Sequence, residues 1–82
     1  MPSGSKAAPA MSPEKLAYMA NQIAKFFAHE GEAKGAESVA DHLRKFWDPR
    51  MRREIQAYAA QGGEALLPMA RQAVAMLDGT KA

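Results

Sequence analysis

The chain has 82 residues, of which eleven are basic and nine acidic, for a formal net charge of +2. It contains no cysteine, which excludes disulfides, iron–sulfur clusters and thiolate zinc sites. Hydrophobic residues make up 48%, but eighteen of them are alanine; the 21 larger ones include six methionines, which fill gaps and specify packing poorly. So small a charge gives no electrostatic case for nucleic acid, and no apolar run is long enough to span a membrane.

Residues 1–11, MPSGSKAAPAM, offer no large apolar side chain besides methionine and are expected to be a disordered tail. A single lysine and no continuous apolar run also make them unlike a secretory signal. Residues 12–79 remain as a single helical domain, a size at which one core supplies only a few kcal/mol. Ser12-Pro13-Glu14 reads as a helix start, with an N-cap hydroxyl, a proline at the first helical position and an acid in the first turn. Leu16, Met19, Ala20, Ile23, Phe26 and Phe27 then recur at helical spacing, with Tyr18, Asn21 and Lys25 opposite. Gly31 and Gly35 bracket a charged linker, GEAKG.

A second helix is expected from about 36 to 47, with Ala36, Val39, Ala40, Leu43, Phe46 and Trp47 as its apolar stripe. Asp48-Pro49 ends it, because the residue before a proline avoids the α region. The same pair starts a third helix as N-cap and first residue. Met51, Ile55, Tyr58 and Ala59 share a face of that helix, and Gly62-Gly63 stop it. A fourth runs from near Leu67-Pro68 to Asp78-Gly79, with Leu67, Ala70, Val74 and Leu77 inward and Met69 and Met76 on the far side. No stretch alternates with period two, so the fold class is all-α, a small bundle of about four short helices.

Nothing in this pattern assembles a catalytic site. His29 and His42 lie on different helices, and Asp41, next to His42, points about 100° away from it. Neither H-x-x-x-H, nor paired carboxylates, nor a Ser-His-Asp set is present. Gly62-Gly63 follow a helix rather than a strand and so are a stop signal, not a phosphate cradle. The segment 44–53, RKFWDPRMRR, holds five of the eleven basic residues and the only tryptophan. Its tight corner admits a helix-turn-helix reading, but Asp41, Asp48 and Glu54 dilute the charge. Trp, Tyr and Arg are the residue types enriched at protein interfaces. The expected partner contacts are therefore Trp47, Arg50 and Arg52 at the corner, with Phe46 in the core. Tyr18, Asn21 and Gln22 on the second face of the first helix, and Met69 and Met76 on the fourth, complete the expected set.

Two blocks, KLAYMANQIAKFF at 15–27 and VADHLRKFWDPRMR at 39–52, resemble the delta subunit of the cytoplasmic, molybdenum-containing, NAD-dependent formate dehydrogenase of bacteria. The resemblance covers roughly residues 12–77, and KFWDPRMR is its most specific element. The family pattern often has aspartate before the proline of the last helix, where this chain has Leu67. The resemblance implies a cofactor-free, non-catalytic accessory subunit of a cytoplasmic complex that oxidises formate to carbon dioxide and reduces NAD. In that complex an alpha subunit holds the molybdenum pterin cofactor and iron–sulfur clusters, beta holds FMN and the NAD site, and gamma carries a further cluster. The large subunits are the implied partners, with alpha the expected main contact and a role in assembly or stability. A dissociable assembly chaperone and a small nucleic-acid-binding helical protein are the alternative readings.

Overall fold

The computed structural model describes residues 12–79, so the tail 1–11 expected to be disordered lies outside the described residues. Four α-helices follow in order: α1 (Pro13–Phe27), α2 (Glu32–Phe46), α3 (Pro49–Ala60) and α4 (Pro68–Gly79), with a short 3-10 turn at Ala28–Glu30. Among the described residues there is no strand, and the all-α reading stands.

Both proline-led helix starts form as their chemistry requires. The Ser12 hydroxyl accepts from the Lys15 N–H at 3.3 Å, and the Asp48 carboxylate accepts from the Met51 N–H at 2.9 Å. Each cap satisfies one of the orphan donors of a first turn whose opening residue, proline, has none to offer.

The linker between α1 and α2 is shorter than the GEAKG motif predicts. The break falls at Gly31 alone, which takes φ 94 and ψ 156, a conformation open to glycine, and α2 already begins at Glu32. Gly35 is therefore a buried residue inside α2. A Cβ built there would stand 2.9 Å from the Phe27 carbonyl oxygen and 2.6 Å from Met69 Cε. The glycine serves close approach of α2 to the end of α1 and to α4.

Leu16, Val39, Leu43 and Ile55 are the largest fully buried side chains, and Trp47, Leu66, Val74 and Leu77 close the core around them. The order expected at the corner is reversed. Trp47 is 5% exposed and belongs to the core, whereas Phe46 is 70% exposed. At 100° per residue the two rings lie about 50° to either side of the mean direction of the buried residues Gly35, Ala36, Val39, Ala40 and Leu43, so the rotation of α2 does not by itself choose between them. The backbone differs instead. Phe46 is the last residue of the helix, whereas Trp47 leaves it in extended backbone, φ −94 and ψ 138, at the turn into α3, and its ring joins the core. Phe26 departs from its expected place because of helix rotation. α1 buries Leu16, Ala17, Ala20 and Ala24, and Phe26 sits about 180° from Ala17.

Helix α4 packs against all three other helices. This accounts for its apolar residues on more than one face: Met69 and Met76 are partly buried against the core. They are gap-filling core neighbours, which corrects the expectation of a free methionine face.

Candidate docking surfaces

The predicted partner residues divide into those the fold consumes and those it leaves free. Asn21 is consumed. Its Nδ2 donates to the Ala65 carbonyl at 2.7 Å and its Oδ1 accepts from the Leu67 N–H at 2.9 Å. The α3–α4 connection is further held by the Tyr58 hydroxyl, which accepts from the Ala65 N–H at 3.0 Å. Arg71 also grips it, donating to the carbonyls of Gly62 and Gly63 at 2.8 and 2.9 Å. Gly62 and Gly63, both at positive φ, make the turn that these side chains hold. Tyr18, 65% exposed, and Gln22, also exposed, stay on the surface of α1.

At the corner Arg52 is half-buried and binds its own fold. Its Nη1 donates to the carbonyls of Trp47 and, at 3.2 Å, Arg44, satisfying acceptors that the end of α2 leaves open. Arg50 is exposed. With Trp47 in the core, the contact patch expected from Trp47, Arg50 and Arg52 does not exist as one surface.

Two other surfaces take its place. The first is an aromatic ridge across α1 and α2. Phe26 and Phe27 meet edge to face with centroids 5.1 Å apart, Phe27 meets His42 at 6.5 Å, and His42 lies 4.6 Å from Phe46. The ends of this row, Phe26 and Phe46, are 71% and 70% exposed. Beside it a shallow pocket is lined by Phe27, Ser38, Asp41, His42, Lys45 and Phe46. Sequence reasoning placed both exposed phenylalanines in the core because each continues an i, i+3 or i+4 series. The available signal was their position at the edge of the stripe, with His42 four residues before Phe46.

The second is a cleft of about 400 Å³ where α2, α3 and the end of α4 meet, lined by Arg44, Pro49, Arg52, Arg53, Gln56 and Leu77. Arg44 reaches across it to donate to the Met76 carbonyl at 3.2 Å. Arg44 and Phe46 lie about 160° apart on α2, so cleft and ridge occupy opposite sides of that helix.

Among the described residues no group of three His, Cys, Asp or Glu side chains converges to hold a metal ion. The chain has no cysteine and so offers no thiolate to hold an iron–sulfur cluster. No helix among the described residues is long and apolar enough to cross a membrane.

The fold is thus a compact all-α bundle with its exposed phenylalanines on one surface and Arg44, Arg52 and Arg53 on another. Residues 15–74 match the family of the NADH-dependent formate dehydrogenase delta subunit FdsD, and the chain belongs to that family. The match takes in both resembling blocks, all of α2 and α3, and most of α1 and α4. Comparison with curated proteins and with solved structures gave no match.

Proposed function

We propose that this chain is a non-catalytic, cofactor-free accessory subunit that docks onto the large subunits of a cytoplasmic NAD-dependent formate dehydrogenase. Its task is to support assembly or stability of the molybdenum enzyme while the large subunits oxidise formate to carbon dioxide. Membership of the delta-subunit family supports association with the other subunits. The observation that carries the docking reading is the aromatic ridge. Two phenylalanines left about 70% in water on one row of ring contacts are an apolar surface that a partner would cover. The alpha subunit is the proposed main contact, because support of the molybdenum centre calls for proximity to it.

Co-expression of the tagged full chain with the other subunits tests this. Phe46→Ser and Phe26→Ser should each reduce co-purification several-fold, consistent with aromatic anchors worth 1 kcal/mol or more, roughly. Formate oxidation should fall in proportion to the complex lost. Full recovery of both variants in the complex would remove the ridge as the docking surface. Recovery of the wild-type chain only with immature enzyme, and never with the finished complex, would make it a dissociable chaperone instead.

A further inference from the structure

The arginines at the α2–α3 corner carry more hydrogen-bond donors than the fold uses. Each guanidinium has five. Arg44 directs one nitrogen to the Met76 carbonyl, and Arg52 one nitrogen to the carbonyls of Arg44 and Trp47. Arg53 is exposed and has no hydrogen bond or ion pair among the described residues. All three line one concave surface, the cleft of about 400 Å³, together with Pro49, Gln56 and Leu77. Of these six lining residues three are cationic and none is acidic. The one ion pair among the described residues, Lys45–Asp41 at 3.2 Å, belongs to the ridge side, where both residues line the shallow pocket beside Phe46.

We infer that this cleft receives an acidic segment of a partner subunit, its carboxylates held in the forks of Arg44 and Arg53 while the half-buried Arg52 braces the corner. The inference rests on the docking reading above and specifies the chemistry of a second, separate contact. Charge complementarity is the argument. Three cations around a concavity repel one another unless an anion neutralises them, and the guanidinium fork matches a carboxylate in two parallel hydrogen bonds. Pro49 and Leu77 give the wall an apolar part against which the stems of acidic side chains can lie. A nucleic acid suits the surface less well. A duplex needs cations along its length to replace condensed counterions, and beyond the corner α2 carries three acids, Glu32, Glu37 and Asp41, against Lys34 and the ion-paired Lys45. The ridge faces the other side of α2, so the partner grips the end of the helix from two sides, the ridge supplying apolar area and the cleft orientation.

The test uses the full chain, tagged and co-expressed with the other formate dehydrogenase subunits, carrying Arg53→Gln or Arg53→Glu. Helicity by circular dichroism should be unchanged, since Arg53 supports nothing inside the fold. Retention in the complex should fall from wild type to Arg53→Gln to Arg53→Glu, the last by roughly tenfold or more. Wild-type retention should weaken as salt rises, and that of Arg53→Gln should depend on salt less steeply. A photo-crosslinking residue at position 53 should capture a partner peptide containing aspartate or glutamate. Retention of Arg53→Glu equal to wild type would overturn the inference, and so would capture of a peptide without carboxylates. A gel shift of duplex DNA by the free chain, lost in Arg53→Glu, would also overturn it, in favour of nucleic acid. Loss of association by Phe46→Ser alone, with Arg53→Glu intact, would leave the docking reading standing and remove only the acidic segment. A wild-type chain that never co-purifies would bring down both.

Discussion

At the scale of single residues, Asn21 and Tyr18 show how neighbours on one helix face can have different tasks. Both were expected to touch a partner. Tyr18 does stand in solvent, but the Asn21 amide is spent on Ala65 and Leu67, 44 and 46 residues away in sequence. An asparagine can donate and accept at once, and here one side chain ties the α3–α4 connection to α1. Removing it leaves a backbone donor and a backbone acceptor unsatisfied, at a cost of about 1–2 kcal/mol, less than a fully buried pair would lose because water can reach the site. Asn21→Ala should therefore lower the unfolding free energy of the free chain, read from urea titration, by that amount. Tyr18→Ala should leave it within about 0.5 kcal/mol, as for an ordinary surface substitution. Equal unfolding free energies for the two variants would mean that the connection holds without the clamp. The same division governs the corner, where Arg52 closes the end of α2 while Arg53, one residue on, is free to meet a partner.

At the scale of elements, what could be read from the sequence was whatever depends on local chemistry. Ser12-Pro13 and Asp48-Pro49 mark helix starts because cap and proline act within one turn, and both appear where expected. The stripes on α2 and α3 were legible from their period. Helix rotation within the bundle was less so, because it is set by packing between elements, and Trp47 and Phe46 exchanged places where the chain leaves α2 in extended backbone. The candidate site suffered most from this, since a ridge built from stripe-edge residues depends on that rotation. Gly35 was misread for a related reason. Two glycines four residues apart look like a loop, but only Gly31 takes a positive φ, and Gly35 is needed for the space it leaves. In an exposed helix Gly→Ala would gain about 1 kcal/mol. In this one the new methyl meets the Phe27 carbonyl at 2.9 Å, and backbone cannot step aside as Met69 can. Gly35→Ala is thus expected to destabilise by about 1–2 kcal/mol despite its better propensity. A gain in thermal midpoint would mean that α1 and α2 separate more easily than this packing implies.

At the scale of the whole molecule, the core explains why such a chain would exist as part of something larger. Among the described residues, seven of the fifteen buried apolar ones are alanine, and Trp47 is the only aromatic of the fifteen. Alanine lets helix axes approach closely, but each buries little area that its backbone would not bury anyway, at about 25 cal/mol per Å² of apolar surface. No disulfide adds to this. Among the described residues the long-range side-chain ties are the bonds of Asn21 and Arg44 to backbone and that of Gln72 Nε2 to Glu32 Oε2 at 3.2 Å. Tyr58 and Arg71 hold the nearby α3–α4 connection, and each of these bonds is individually worth about 1 kcal/mol. A domain of this size with such a core should unfold with a free energy of only a few kcal/mol. A partner that binds only the folded state then adds stability by mass action, about 2.7 kcal/mol at a hundredfold excess over Kd. The free chain should accordingly give a helical circular dichroism spectrum and a low, shallow urea transition. The same chain inside the formate dehydrogenase complex should resist both hydrogen exchange and proteolysis far longer. If the isolated chain withstands more than about 5 M guanidinium chloride, the mark of a hyperstable fold, its core is self-sufficient. The partner would then be needed for what the chain does and not for keeping it folded.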